Sequence, residues 1–370
     1  MTDDAQLTPA AVAPHKKVGM LPPYAAGKPP VAVPGLRPYK LSSNENPLGA
    51  GPRAREAFSA VLDKIHIYPD GRADRLRAAV AETFGLEEDR LIFGNGSDEV
   101  FALLNQTYLT AGDNIVSGEY GFLAYRISAL GCESQVKLAP EPNCKAEVDD
   151  LLAQVDDRTK IVYLSNPSNP TGSWHSAEEI RRLHEGLPGH VILVIDEAYA
   201  EFVTEPGYES AFELARHSDN IVVTRTFSKI HGLGGLRIGY GYAPAAMMAA
   251  MDRIRLPFNV SVPGIAAAVA ALSDDAHQQA SRDLVSEWRP RLTQIIKGFG
   301  YEVLPSAGNF ILVRFADAAT AEAANAFMMT RGIIVRSVAG YGLPDGLRIT
   351  IGTPDQNRAV ADALSEFAAL

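Results

Sequence analysis

Along this chain, short unbroken runs of apolar side chains alternate with stretches in which apolar residues recur every three or four positions. The runs are RLIFGNG (90–96), NIVSGEY (114–120), KIVYLSNP (160–167), VILVIDEAY (191–199) and NIVVTRTFS (220–228). They are rich in Val, Ile and Leu, and several end in polar or glycine-containing turns, as strands buried on both faces do. Between them, SDEVFALLNQTYL (97–109) and EEIRRLHEGL (178–187) carry helical spacing. Strand and helix in alternation predict an α/β fold whose mainly parallel sheet is covered on both sides.

Two segments break this rhythm. Residues 1–40 are crowded with Pro, Ala and Gly, as in LPPYAAGKPPVAVPGLRP (21–38), and show neither period. Proline at that density blocks helix and sheet ladders alike, so the segment reads as an extended arm. Near residue 260 the texture changes to a long helical region, roughly 262–298. It is followed by YEVLPS, NFILVRF, a helical AEAANAFMMTRG, IIVRSV, LRITIG and a C-terminal helix, the pattern of a smaller α+β domain. The expected division is 1–44 for the arm and part of the small domain, 45–265 for the large domain and 266–370 for the small one.

Composition narrows the function classes. The 370 residues are 46% apolar and 21% charged, which argues against disorder and fibrous repeats. Formal charge is 34 − 44 = −10 with no basic block, which argues against nucleic acid or an anionic membrane as partner. Cys132 and Cys144 are too few for a disulfide framework and match no zinc spacing, so reduced thiols and no metal are expected. The N-terminus carries early acids and no apolar core of a signal peptide, and no apolar run approaches a membrane span. A soluble cytoplasmic protein is expected.

In open α/β sheets ligands collect at the carboxyl ends of the strands, so the polar residues there are the candidates. The first end offers Gly94, Asn95, Gly96, Ser97 and Asp98 ahead of a helix. Exposed N–H groups there suit an anion, although a plain capped turn would look the same. The third glycine of a dinucleotide fingerprint is missing. SNPSNPTG supplies Asn169, VILVIDEAY supplies Asp196 and Tyr199, and NIVVTRTFSK supplies Thr226, Ser228 and Lys229, with Arg237 eight residues on. Singly, each has a bland reading as a helix cap or a solvated side chain. Together they converge on one sheet edge and match the needs of pyridoxal phosphate: an amine for an imine, an acid for the pyridine nitrogen, donors for the ring oxygen and anion ligands.

TFSKIHGLGGLRIGY closely resembles the cofactor-lysine motif of fold-type I pyridoxal-phosphate aminotransferases. SSNENPLG, YPDG, GNGSDE, NPSNPTG, IDEAY and LRITIGT occur in the order seen in the histidinol-phosphate aminotransferase family. The resemblance runs from about residue 20 to the C-terminus. It implies an aspartate-aminotransferase-like large domain with a seven-stranded sheet. Lys229 then corresponds to the lysine that joins the cofactor and shuttles the proton, and Asp196 to the partner of the pyridine N–H. Tyr199 and Asn169 would bond the ring oxygen. Gly96, Ser97, Thr226, Ser228 and Arg237 would hold the phosphate, and Tyr120 would stack on the ring. Tyr68 would reach the phosphate of a neighbouring subunit, which implies a homodimer.

By the same resemblance, Arg348 clamps the substrate α-carboxylate and Arg336 forms a second anion site, with Asn44 close by. A planar guanidinium binds carboxylate or phosphate through two parallel bonds, so one site could serve glutamate and a phosphorylated ketone in turn. His231 departs from the family's usual Tyr or Phe. The loop VAGYGLPDG resembles relatives that also take aromatic amino acids, and Tyr341, Tyr24 and Phe258 are candidate apolar walls. The activity implied is transamination between glutamate and imidazole-acetol phosphate in histidine biosynthesis. The alternatives are an aromatic aminotransferase and, more distantly, a threonine-phosphate decarboxylase-like lyase.

Overall fold

The expected apolar runs pair into one seven-stranded sheet. A computed structural model of the protein describes Leu21 and residues 38–370; Tyr24 lies outside the described residues. The strands are β1 (Tyr39–Lys40), β2 (Leu91–Asn95), β3 (Asn114–Gly118), β4 (Gln135–Ala139), β5 (Thr159–Ser165), β6 (Ile192–Asp196), β7 (Ile221–Thr226) and β8 (Ile238–Tyr242). A further group follows: β9 (Glu302–Val303), β10 (Phe310–Arg314), β11 (Ile333–Ile334), β12 (Arg336–Ser337) and β13 (Gly346–Thr350). The large sheet has the order β2-β8-β7-β6-β5-β3-β4, parallel except for β8, which runs against both neighbours.

Two of these strands escape the run pattern. In β8 (IGYGY) the packing helix Ser97–Tyr108 comes so close that a Cβ on Gly239 would lie 2.2 Å from the Ser97 nitrogen. Side chains are excluded there, and with them the β-branched signature. Strand β4 (QVKLA) is an edge strand, half-exposed and mixed in polarity.

The core strands β5, β6 and β7 are buried almost throughout, as their composition demands. Alternation along β6 sends Asp196 and Glu197 to opposite faces. On the face away from Asp196, Arg225 of β7 bonds Glu197 at 2.7 Å and Glu201 at 2.8 Å and lies over the Phe212 ring. The helix Ala177–Gly186 starts with a reciprocal capping box of Ser176 and Glu179, and the helix Pro354–Ala368 with one of Thr353 and Gln356.

A four-stranded antiparallel sheet, β12-β13-β10-β9, forms a second layer with the helices Asp275–Gly298, Ala318–Thr330 and Pro354–Ala368. Strand β1 pairs in parallel with β11, so the chain leaving the arm is stitched to this C-terminal unit before entering the large one. The long helical region is two helices, Val262–Leu272 and Asp275–Gly298. The first packs Ala267, Ala268, Ala271 and Leu272 on the large core, and the second packs Val285, Trp288, Leu292 and Ile296 on the small one. The core against which the chain packs thus changes at Ser273–Asp274. Among the described residues no helix is long and apolar enough to cross a membrane. Cys132 and Cys144 are free thiols.

Candidate active site

The ends of β5, β6 and β7 and the start of β8 meet the small unit around a cavity of about 590 Å³. Register explains the convergence. Ser165 pairs with Asp196, Asp196 with Thr224, Thr226 with Gly239, and Ile238 with Asn95, so residues scattered over the sequence share one edge. Lys229, Asp196, Tyr199, Asn169, Ser97, Thr226, Ser228 and Arg237 all border the cavity, as do Arg348, Arg336, Asn44 and Tyr341.

The Lys229 amine donates to the Ser43 carbonyl at 3.0 Å and stands 5.6 Å from the centre of the Tyr199 ring. Burial lowers its pKa to about 8 from 10.5, helped by the Arg348 cation and opposed by Glu45 and Asp98. The neutral amine is the nucleophile, so its reaction with an aldehyde rises as pH climbs through the folded pKa. In the cofactor-free protein, borohydride trapping of a small aldehyde on Lys229 is expected to show a midpoint near pH 8. Replacing Arg348 by Ala should move that midpoint upward; mass spectrometry of the peptide reads it.

Asp196 is buried at the end of β6. Its Oδ2 accepts from the Tyr125 hydroxyl at 2.5 Å and its Oδ1 from Thr224 Oγ1 at 3.2 Å. Burial raises its pKa to about 6, against the lowering effect of those two donors. Tyr199 packs edge-on to Phe310, and its hydroxyl accepts from Asn44 Nδ2 at 2.9 Å. Asn44 itself sits at φ 56°, tied to Thr350 through its backbone N–H at 3.0 Å. Asn44 therefore positions Tyr199 from the far side of the cavity. Asn169 accepts from Arg348 Nη1, which fixes the amide orientation and joins the two units.

The anion end is built from backbone. Gly96, at φ 83°, caps the helix Ser97–Tyr108, and the Arg237 guanidinium lies against it. Arg237 bonds Asp98 at 3.0 Å and Ser228 Oγ at 3.4 Å, while Thr226 Oγ1 accepts from the Ser228 N–H at 3.1 Å. A helix N-terminus with an adjacent guanidinium is a binding place for phosphate.

Arg336 and Arg348 are direct partners across β12 and β13. Arg348 is buried, donates to the Ser42 carbonyl at 2.7 Å and lies 5.5 Å from the Phe310 ring centre. Four cationic side chains border the cavity, and so do Glu45, Asp98 and Asp196. The cavity is densely charged with both signs, and the carboxylates are not confined to the outer surface.

Some candidates are not brought to the cavity wall. Tyr120 packs behind it against the cluster of Cys144, Leu312, Val338, Tyr341 and Leu343. Phe122, two residues on, borders the cavity instead. Tyr68 is 79% exposed and stacks on Phe258 at 4.8 Å, away from the residues bordering the cavity. His231 packs at a tilt against Phe227 with ring centres 4.9 Å apart, and its pKa is pushed down to about 3 by burial, so it is a neutral packing residue. Sequence reasoning missed Phe122, Tyr125 and Ser43. Tyr125 lies in an ordinary amphipathic helix, Leu123–Gly131, and Ser43 acts through its carbonyl, which any residue carries.

A sheet of this order with a part-buried lysine and a strand-end carboxylate bordering one cavity at its carboxyl edge defines a fold-type I enzyme. The model of the family "Aminotransferase class I and II" matches residues 38–364. The histidinol-phosphate aminotransferase 1 of Caulobacter vibrioides is 53% identical over 347 residues, covering 93% of this chain and 96% of that one. The histidinol-phosphate aminotransferase of Maricaulis maris is 46% identical, covering 96% and 99%. A crystal structure of the histidinol-phosphate aminotransferase from Sinorhizobium meliloti, in complex with pyridoxal-5'-phosphate, superposes with a TM-score of 0.84. Its identity is 30%, over 89% of this chain and 90% of that one. This chain belongs to the class I and II aminotransferase family.

Proposed function

We propose that the protein is a pyridoxal-5'-phosphate-dependent aminotransferase that moves an amino group between L-glutamate and imidazole-acetol phosphate, yielding 2-oxoglutarate and L-histidinol phosphate. The observation that carries this reading is the pairing of Arg336 with Arg348 on the wall of the cavity that Lys229 also borders. Two guanidiniums one strand apart can hold the two carboxylates of glutamate in one half-reaction and the phosphate of the phosphorylated substrate in the other.

The residues present fit the cofactor. Lys229 is an amine ready to attack an aldehyde, and Asp196 offers a carboxylate to a ring N–H. The space beside Gly96 is one that a Cβ would fill, since it would lie 2.3 Å from Arg237 Nη2. Ser97, Thr226, Ser228, Arg237 and the Gly96 backbone would hold the phosphate, and Phe122 would cover the ring. When bound, the cofactor supplies an aldehyde for the substrate amine and a ring that withdraws electrons from its Cα. Asp196 keeps a proton on the ring nitrogen, and Tyr199 and Asn169 stabilise negative charge on the ring oxygen. Arg348 holds the substrate carboxylate, and Lys229 Nζ takes the Cα proton and returns it to the cofactor carbon. Gly96→Ala is expected to weaken retention of the cofactor about tenfold or more, read by equilibrium dialysis, because it both strains φ and displaces Arg237.

The aromatic side chains Phe122 and Tyr341 on the cavity wall favour aromatic amino acids as a second reading. Comparing kcat/KM for histidinol phosphate and phenylalanine with 2-oxoglutarate tests the choice. A large preference for phenylalanine would overturn histidinol phosphate as the substrate, and carbon dioxide release from phosphothreonine would mark a lyase.

A cytoplasmic homodimer is part of this proposal. Ile65, Ile67, Tyr68, Leu256 and Phe258 are exposed apolar side chains from two neighbouring loops, and a second copy would cover them and bring Tyr68 to its partner's phosphate site. Light scattering should return about twice the chain mass, and Tyr68→Phe should weaken cofactor retention without dissociating the dimer. The division into arm, large unit (45–265) and small unit (266–370) completes the proposal, with the core changing at Ser273–Asp274.

A further inference from the structure

The Tyr125 hydroxyl is buried and donates to the Asp196 carboxylate, with the Ser165 hydroxyl also beside it. Its ring is fully buried, stacked flat on Tyr163 at 4.4 Å and 8°, with Phe101 and Phe122 meeting it edge-on at 4.8 and 5.6 Å. Rings packed on three sides hold the phenol so that its oxygen points at Asp196 Oδ2, 2.5 Å away. Thr224 holds the other carboxylate oxygen from the neighbouring strand. Phe122 links this assembly to the cavity, because it touches Tyr125 on one side and borders the cofactor space on the other.

We infer that Tyr125 is a positioning residue that holds the Asp196 carboxylate ionised and correctly turned toward the cofactor ring. The inference rests on the assignment of Asp196 to the ring N–H. A donated hydrogen bond stabilises the carboxylate against its acid form, and removing the Tyr125 hydroxyl leaves Asp196 with one donor fewer. Among the described residues, the titratable groups acting on Asp196 are Tyr125 from the helix Leu123–Gly131, Asp98 from the helix Ser97–Tyr108, whose charge opposes ionisation, and the phenols of Tyr199 and Tyr208, while Lys229 and Arg237 border the same cavity. The Thr224 hydroxyl and the Ala198 N–H supply the remaining donors. Losing the Tyr125 bond therefore pushes Asp196 toward its neutral form, which cannot keep the ring nitrogen protonated.

The test is Tyr125→Phe, which keeps the ring and removes only the hydroxyl. In the holoenzyme the acid limb of the kcat profile should move up by about one pH unit, with kcat at neutral pH reduced about tenfold or more and substrate KM little changed. Independently of turnover, the cofactor dissociation constant should rise about tenfold and become steeper with falling pH. Tyr163→Phe is the control, since it deletes a buried hydroxyl from the stacked ring, bonded to Asn105 at 2.7 Å, without touching Asp196. It should leave the pH profile in place. If Tyr125→Phe matches the parent at every pH, or if Tyr163→Phe shifts the profile equally, the inference is overturned. Asp196→Asn separates the two levels: retained turnover and cofactor affinity in that variant would overturn the assignment of Asp196 itself.

Discussion

Replacing Lys229 by alanine is expected to lower kcat about ten-thousandfold or more while the protein stays folded. Proton transfer by a positioned side chain is worth about 10²–10⁴-fold, and Lys229 would also supply the covalent anchor of the cofactor. Among the described residues no other amine borders the cavity to replace it; the other cations there are the guanidiniums of Arg237, Arg336 and Arg348, which do not deprotonate. The fold has little stake in this side chain. Its amine donates to a backbone carbonyl, that of Ser43, and its burial costs stability by the same desolvation that lowers its pKa. Stopped-flow kinetics and thermal unfolding, measured together, check both halves. A variant that retained more than about one per cent of turnover would show that another group moves the proton.

The second large effect is expected at Arg348. Removing one partner of a buried, hydrogen-bonded charge contact costs about 2–5 kcal/mol, so Arg348→Ala should reduce kcat/KM for glutamate roughly 30- to 5,000-fold. The same factor should apply to the phosphorylated amine, because both substrates would give their polar head to this guanidinium. Arg348→Lys should recover little of the loss. A single ammonium keeps the charge, but it cannot hold a carboxylate in two parallel bonds while also bonding the Ser42 carbonyl and the Asn169 amide. Arg336→Ala offers the contrast: its loss should fall on the second carboxylate of glutamate, raising the glutamate KM with a smaller effect on kcat. Steady-state kinetics on both substrates separates the two arginines.

Much of the site was legible because it lies where strands end. Asp196, Tyr199, Thr226, Ser228 and Lys229 each follow directly from an apolar run, and Gly96 and Ser97 mark the turn from β2 into its helix. The antiparallel strand β8 was not legible, because close packing against the helix Ser97–Tyr108 requires glycine where a strand normally shows branched side chains. The long helical region expected at roughly 262–298 consists of two helices, since the packing partner changes across Ser273–Asp274.

Apolar periodicity is a local property: it sets which positions must leave water, and so the elements, the mainly parallel sheet and the residues at its carboxyl edge were contained in the sequence itself. Tertiary structure decided which of two nearby aromatics, Tyr120 or Phe122, borders the cavity, and that the phenol of Tyr125 serves Asp196, 71 positions further along the chain. It also decided that the carbonyls of Ser42 and Ser43 hold Arg348 and Lys229 across 306 and 186 positions. Such contacts are made by backbone atoms and by side chains that look like ordinary core, and they come into being only when the pairing of β1 with β11 and the register of the central sheet bring remote segments together.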